Sequence, residues 1–196
     1  MGNNLPEWRS LLASALHRNR AKYHSRYFQL ATISPEGLPK NRTVVFRGFL
    51  ESTNIIQIIT DSRSEKAAQI NHQCWGEICW YFTKTKEQFR ISGNLLLINS
   101  HNSNSELIAA RKAVWQKISD NARSQFIWPN PGESRTDDLN LFSPATPSPQ
   151  EPVTNFCLLL LTPEKVDHLE LRGEPQNRCL YTLQSNGDWT INPINP

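Results

Sequence analysis

The sequence predicts a mainly β fold with flanking helices (α+β), in which six or more strands pair antiparallel. Apolar runs of strand length recur along the 196 residues, separated by turn-forming residues. Other segments repeat their apolar residues at helical spacing instead. A chain of this length suits one domain. We therefore expect a single domain over residues 1–196, with an N-terminal helix at about 5–20 and a proline-rich loop at about 129–152.

An apolar stripe with helical spacing predicts the first helix. Pro6 suits its first turn, where the missing N–H group costs nothing. One face of this helix carries the apolar residues Trp8, Leu11, Leu12, Ala15 and Leu16. We assign this face to packing, because such stripes more often fill a core than bind a cofactor.

Strands are predicted wherever apolar or aromatic residues run between turn signals. A turn at 34–37 has proline at its second position and glycine at its fourth, and residues 185–188 suit a hairpin turn. Gly93 is expected to mark a bulge, and Pro163 is expected to end a strand. The predicted strands cover residues 27–33, 42–49, 55–60, 74–83, 87–98, 156–162, 166–171, 178–183 and 189–192.

Two further helices are predicted. One covers residues 64–71, where small and apolar side chains can pack closely. The other covers 103–118, with Ser103 or Ser105 as its N-cap and Glu106 in its first turn. Both lie between predicted strands, so we expect them to flank the sheet.

The charge of the chain favours an anionic small molecule over a nucleic acid. The formal net charge is +3, and the Lys and Arg residues form no block. The longest apolar run is strand-sized, well short of a membrane helix. The first residues lack the apolar core of a signal peptide. We therefore expect a cytoplasmic protein with no nucleic-acid or membrane partner.

The cysteines indicate neither a disulfide framework nor a metal centre. Cys74, Cys79, Cys157 and Cys179 include no C-x-x-C pair, and no close Cys/His set has the spacing of a zinc site. We expect four reduced thiols and no bound metal.

A cationic strand followed by a hydroxyl-rich helix start marks the candidate site. Arg42 and Arg47 stand five residues apart on the second predicted strand. After the third strand, Ser62, Arg63 and Ser64 lead into the predicted helix. A helix N-terminus presents free N–H groups and a partial positive charge, so this stretch suits a phosphate. Taken alone, it could also be a hairpin with solvated arginines.

Residues 41–66 resemble the pyridoxamine 5'-phosphate oxidase family of FMN-binding split barrels, in particular a cyanobacterial-type branch. That family has an R-x-V-x-x-[KR] strand, a strand ending in an aromatic residue and Thr, and a Ser/Arg/Lys cluster that opens a helix. Here these are residues 42–47, Ile59-Thr60 and residues 62–66. The resemblance extends from Tyr27 to the C-terminus. It implies a split β-barrel and a homodimer that binds FMN at the interface.

The resemblance also implies which residues hold the cofactor. Arg47 is the candidate catalytic residue, because a positive charge there would act on the flavin or on the substrate. Gln88 suits the pyrimidine edge of the flavin, since an amide both donates and accepts hydrogen bonds. The implied cofactor-binding residues are Arg42, Thr43, Val44, Val45, Phe46, Arg47, Thr60, Ser62, Arg63, Ser64, Lys66, Gln88, Ser124, Gln125, Trp128 and Arg178.

Several positions depart from the family pattern. Housekeeping oxidases hold the pyridoxal substrate with Arg-x-His, where this chain has Pro175, Gln176 and Asn177. The family tryptophan beside the flavin aligns with Leu169. The Tyr and Arg that hold the substrate phosphate, on the helix around 107–123, have no clear counterpart. FMN binding is therefore predicted more strongly than pyridoxamine 5'-phosphate turnover.

Residues 129–152 form a long predicted loop in which proline recurs. Loops of this length inside a domain are usually functional or disordered. The sequence leaves open whether this loop covers the site, contacts a dimer partner or is a plain excursion.

Two functions follow from the resemblance. The first is a flavin oxidoreductase of the pyridoxamine 5'-phosphate oxidase type, serving pyridoxal phosphate biosynthesis. It would transfer a hydride from a small molecule, phosphorylated or not, to flavin N5, with reoxidation by O2. The second is an FMN-binding protein, a flavin carrier or reductase, without pyridoxal phosphate chemistry. We favour the first.

Overall fold

The computed structural model describes residues 5–196, whose strands all belong to one antiparallel sheet. The strands are β1 (Tyr27–Ile33), β2 (Pro39–Val45), β3 (Gly48–Phe49), β4 (Ile56–Asp61), β5 (Trp75–Phe82), β6 (Glu87–Ile98), β7 (Phe156–Glu170), β8 (Asn177–Leu183) and β9 (Trp189–Ile194). Their order is β2-β1-β5-β6-β7-β4-β3, and β8 joins the free edge of β7 and carries β9. The mainly β prediction is confirmed, and the sheet curves as a half-barrel.

Helices cover the sheet on both sides. The helices are α1 (Glu7–Asn19), α2 (Glu65–His72), α3 (Ser105–Lys117) and α4 (Asp120–Ser124). The stripe predicted on α1 is buried at Trp8, Leu12 and Ala15. The predicted cap of α3 is wrong, because Asn104 is its N-cap and accepts hydrogen bonds from the N–H groups of Glu106 and Leu107. An amide oxygen caps a helix as well as a serine hydroxyl does.

The strand predicted over 42–49 is divided in two. β2 pairs with β1, whereas β3 pairs with β4. The change of partner occurs at two adjacent residues: the Phe46 N–H donates to the Arg26 carbonyl and the Arg47 N–H donates to the Gln57 carbonyl. The chain therefore turns a corner of the barrel here, and Arg47 lies at the corner.

The two strands predicted over 156–162 and 166–171 are one strand, β7. Pro163 was expected to end the first, but it lies opposite Gly93 at a register shift between β6 and β7. A proline is tolerated at a bulge, where the ladder loses a hydrogen bond in any case. The bulge predicted at Gly93 is confirmed, and a Cβ there would lie 2.0 Å from the Thr162 carbonyl oxygen.

The core divides into two apolar clusters. The larger one lies inside the curved sheet and is closed by α1; Trp8, Phe28 and Trp80 are fully buried in it. The smaller one lies between the sheet and α3, around Trp115 and Phe156. This second cluster anchors the chain that leaves α3, and that chain forms one wall of the site described below.

A buried ionic group lies beneath α1. Ligand atoms of Glu87, His168 and Glu170 lie within 4.8 Å of one another, as in a metal site. However, Arg18 pairs with Glu87 at 2.7 Å, and His168 lies 3.3 Å from the other oxygen of Glu87. The guanidinium already supplies the positive charge that the carboxylate needs, so we assign this group to ion pairing.

Two predictions on the chain's environment concern thiols and membranes. None of the four cysteines forms a disulfide. Within residues 5–196, no helix combines the length and the apolar character that crossing a bilayer requires.

Candidate cofactor site

A cavity of about 640 Å³ lies between β2, the start of α2 and the chain that follows α4. This volume is within the range of small-molecule and cofactor sites. Its lining combines cationic, hydroxyl, aliphatic and aromatic side chains. The sequence-predicted residues that line it are Arg42, Thr43, Val44, Val45, Arg47, Arg63, Ser64, Lys66, Gln125 and Trp128.

Three half-buried cations in this cavity form no ion pair with any described acidic residue: Arg42, Arg47 and Lys66. The Arg42 guanidinium donates to the Thr32 hydroxyl at 2.6 Å and to the Gln69 side-chain oxygen at 2.8 Å. These neutral acceptors orient the group without neutralising it. Its positive charge remains available to a ligand.

Lys66 lies at the start of α2 among hydroxyl groups. Its Nζ donates to the Thr60 hydroxyl at 2.9 Å and to the Ser64 hydroxyl at 3.4 Å. Burial lowers the pKa of Lys66, and the nearby Arg42 lowers it further. Two cations this close repel each other, so an anion placed between them would be stabilised by both.

Arg47 supplies a third positive charge from the corner between β2 and β3. Burial lowers the pKa of Arg47, and the Arg26 charge adds to the effect. Its Nε atom is buried and has no hydrogen-bond partner within residues 5–196. A buried donor without an acceptor costs free energy, and an anionic or carbonyl-bearing ligand would remove that cost.

The residues present therefore fit FMN, which carries a phosphate and a ring with carbonyl groups. Arg42 and Lys66 match the phosphate, as does the N-terminus of α2, whose N-cap Ser64 makes no side-chain bond to the helix. Arg47 matches a ring oxygen or a substrate group. Val44 and Val45 supply the apolar surface that a flat ring requires.

Arg63 lines the cavity but is already occupied by protein acceptors. It binds Asp61 through two hydrogen bonds, at 2.7 and 3.0 Å. It also donates to the carbonyl oxygens of Phe126 and Trp128. The hydrogen bond that Arg63 donates to the Asp61 carboxylate raises the pKa of Arg63. Arg63 therefore ties the chain after α4 to the end of β4.

Gln88 and Arg178 lie outside this cavity, on the outer face of the sheet. Gln88 pairs in register with Leu169, which pairs in turn with Arg178, so the three side chains form a row across β6, β7 and β8. Arg178 is held by Asp167 through two hydrogen bonds at 2.7 and 3.0 Å. Within one chain, this row and the cavity are separate surfaces.

The other predicted site residues do not line the cavity. The Phe46 side chain is buried in the larger core cluster. Thr60 is buried beneath Lys66 and accepts its hydrogen bond. Ser62 donates its backbone N–H to Asn155, and the Ser124 hydroxyl donates to the Asp120 carbonyl inside α4.

Sequence reasoning predicted Trp128 on the opposite wall of the cavity but left open whether the loop after it belongs to the site. Residues 129–131, residues 133–136 and Phe142 line this wall, so the proline-rich loop contributes to the site over its first half. The signal in the sequence was the presence of two aromatic residues, Trp128 and Phe142, in this region. In the structure their rings pack edge to face with centroids 5.6 Å apart. Asp61 and Gln69 were also missed, since each acts through an arginine.

Comparison with known proteins agrees with this geometry. A family model described as pyridoxamine 5'-phosphate oxidase, FMN-binding domain, matches residues 5–99. The Arabidopsis thaliana protein named pyridoxine/pyridoxamine 5'-phosphate oxidase 2 is 38% identical over 200 residues, covering 100% of both chains.

Solved structures extend the comparison. The crystal structure of a pyridoxamine 5'-phosphate oxidase-related, FMN binding protein from Nostoc punctiforme PCC 73102 is similar with a TM-score of 0.96 and 57% identity, over 98% of this chain and 100% of that one. PhzG from Burkholderia lata 383, at 18% identity, shares the fold, with a TM-score of 0.79 over 99% of this chain and 95% of its own. The chain therefore belongs to the FMN-binding pyridoxamine 5'-phosphate oxidase family, a family of split barrels, with FMN as its cofactor.

Proposed function

We propose that the chain is an FMN-dependent oxidoreductase of the pyridoxamine 5'-phosphate oxidase type, serving pyridoxal phosphate biosynthesis. The observation that carries the proposal is the set of unpaired cations, Arg42, Arg47 and Lys66, around a cavity with an aromatic wall. The full-length similarity to the Arabidopsis protein supports the reaction type. The substrate would be a phosphorylated pyridoxine vitamer or a similar small molecule.

Each part of the cavity has a role in this proposal. Bound FMN supplies the hydride acceptor and its reaction with dioxygen. Arg42 and Lys66 bind the cofactor phosphate, and Val44 and Val45 exclude water from the ring. Arg47 places a positive charge where negative charge develops on the ring, and a charge fixed in advance stabilises it without reorganisation.

The proposal includes a homodimer with the flavin at the interface. Gln88 and Arg178 lie on a face that does not reach the cavity of the same chain, whereas a second copy related by a two-fold axis could place that face over the cavity. Symmetric dimers are the commonest oligomers. Light scattering of the FMN-loaded protein tests this: a monomer that retains FMN would overturn it.

A second function is favoured by one specific observation. The turn before β8 and the first residue of β8 carry Pro175, Gln176 and Asn177, all exposed, in place of the Arg-x-His of housekeeping oxidases. A flavin carrier or reductase would not need those two side chains. Addition of pyridoxamine 5'-phosphate to the FMN-loaded protein separates the two functions. Release of hydrogen peroxide with formation of pyridoxal 5'-phosphate supports the oxidase, and a flavin that stays oxidised without either product supports the carrier.

A further inference from the structure

The family arginine and histidine that hold the substrate are absent, so an oxidase built on this chain needs another cation. We compare three arginines outside the predicted site residues: Arg123, Arg135 and Arg172. Arg123 is buried, donates to the Ile118 carbonyl at 2.6 Å and pairs with Asp120, so its donors are used at the junction of α3 and α4. Arg172 lies outside the cavity lining and donates at 2.7 Å to the Lys84 carbonyl.

Arg135 differs from the other two in its surroundings. It lines the cavity, it is exposed, and it makes no hydrogen bond or ion pair with any residue from 5 to 196. Its guanidinium carbon lies 5.5 Å from the centroid of the Phe142 ring. Of the acidic lining residues, Asp61 pairs with Arg63 and Glu133 accepts a hydrogen bond from the Asn130 amide, and neither forms an ion pair with Arg135. Arg135 is therefore a cation available to a ligand.

The wall beside Arg135 offers a flat aromatic surface. Phe142 packs its ring edge to face against Trp128. The Trp128 indole N–H group is buried and lacks a hydrogen-bond partner in the described chain. An aromatic wall with a spare donor suits a planar heteroaromatic ring, which provides both a face for packing and atoms that accept a hydrogen bond.

This wall is held in place by its own hydrogen bonds. Arg63 donates to the Trp128 carbonyl at 2.9 Å and to the Asn130 side-chain oxygen at 3.1 Å. Asp138 caps the short 3₁₀ turn Leu139–Phe142 by accepting from the Asn140 N–H group. Arg135 is thus presented between two anchored points.

We propose that Arg135 binds the anionic group of the substrate while Trp128 and Phe142 pack on its ring. This proposal rests on the oxidoreductase function above, and it adds to that function the residue that would contact the phosphate of the substrate. A guanidinium meets a phosphate through two parallel hydrogen bonds, which provides orientation as well as attraction. The anion contact missing from the 107–123 region is then supplied by the proline-rich segment.

The test compares Arg135→Ala and Arg135→Lys with the control Arg172→Ala, an exposed arginine outside the cavity. Equilibrium dialysis against FMN-loaded protein measures the binding of pyridoxal 5'-phosphate and of pyridoxal, which lacks the phosphate. We expect Arg135→Ala to weaken pyridoxal 5'-phosphate binding about tenfold or more, the range of a charge-assisted hydrogen bond. Pyridoxal binding and FMN affinity should stay within about twofold, as should all values for Arg172→Ala. The pyridoxal 5'-phosphate affinity of Arg135→Lys should lie between those of the wild type and Arg135→Ala, since lysine keeps the charge but not the paired donors.

The outcomes separate this proposal from the function on which it rests. If the wild-type protein prefers the phosphorylated vitamer and Arg135→Ala keeps that preference, Arg135 is not the anion contact and the oxidoreductase proposal stands. If Arg135→Ala lowers FMN affinity as much as vitamer affinity, Arg135 belongs to the cofactor site. If the wild-type protein binds neither vitamer and oxidises neither pyridoxine nor pyridoxamine phosphate, both proposals fail.

Discussion

The Arg63 guanidinium donates a hydrogen bond to the Trp128 carbonyl oxygen at 2.9 Å and thereby joins the end of β4 to the far wall of the cavity. Asp61 orients the same guanidinium through two further hydrogen bonds. The resemblance to the family implied that Arg63 takes part in cofactor binding, as it implied for Lys66. The occupied donors favour a positioning role, in which Arg63 acts through residues 126–130.

Removal of Arg63 should therefore loosen the cavity wall and also weaken the binding of FMN. We expect Arg63→Ala to lower FMN affinity about tenfold, since the charge-assisted hydrogen bonds that hold the cavity wall in place are lost. We also expect trypsin to cleave faster at Arg135 in the presence of saturating FMN. Asp61→Asn should change both values in the same direction, because it releases Arg63. Tighter FMN binding by Asp61→Asn, with unchanged cleavage, would mean that Arg63 is itself a phosphate ligand.

Loss of either phosphate cation should weaken FMN binding directly. Arg42→Ala and Lys66→Ala each remove a charge-assisted hydrogen bond, with an expected cost on the order of 1.5–3 kcal/mol. Lys40→Ala is the matched control, since Lys40 lies on the same strand and outside the cavity lining. Flavin titration of the three variants provides the measurement. Unchanged FMN affinity in both cavity variants would contradict the assignment of these two residues to the phosphate.

The affinity for FMN should depend on pH through Lys66. Its pKa is lowered by burial and then by Arg42, so the amine loses its proton at a lower pH than an ordinary lysine with a pKa of about 10.4. Only the protonated amine attracts the phosphate, and FMN affinity should therefore fall as the pH rises through the lowered pKa.

Lys66→Arg is the control for this pH dependence, because arginine stays charged over the whole range. Its FMN affinity, measured by dialysis from about pH 7 to about pH 10, should decline less than that of the wild type. Parallel curves for the two proteins would show that another group controls the pH dependence.

Oxidation of pyridoxamine 5'-phosphate should be slow relative to a housekeeping enzyme. Asn177 cannot carry the charge of a histidine, and Pro175 lacks both the charge and the reach of an arginine. Arg135 can replace the attraction to the substrate phosphate, but it lies on an exposed segment. The substrate ring is therefore oriented less rigidly over the flavin, and turnover falls. Steady-state assays at saturating FMN, following pyridoxal 5'-phosphate by absorbance, provide the measurement. Turnover of about one per second or faster would show that the altered segment still builds a complete substrate site.

The sequence by itself determined the element types and the cationic motif. Apolar periodicity predicted α1 and the strands, because side-chain spacing depends only on the local backbone geometry. The bulge at Gly93 was also predicted from local sequence, because a glycine inside a strand pattern marks a local irregularity. The order of Arg42, Arg47 and Lys66 along the chain, together with the family resemblance, predicted a phosphate site, and that assignment stays a prediction.

The tertiary structure decided which of these elements continue and which cations remain unpaired. Pro163 continues β7 because Gly93 of another strand lies opposite it, and a pattern within one segment carries no information on that partner. Likewise, Arg123 and Arg135 are equivalent in the sequence, yet one is held by the Ile118 carbonyl and the other faces the cavity. Hydrogen-bond partners and electrostatic surroundings are contributed by residues distant in the chain, so the availability of a charge emerges only when the chain is folded.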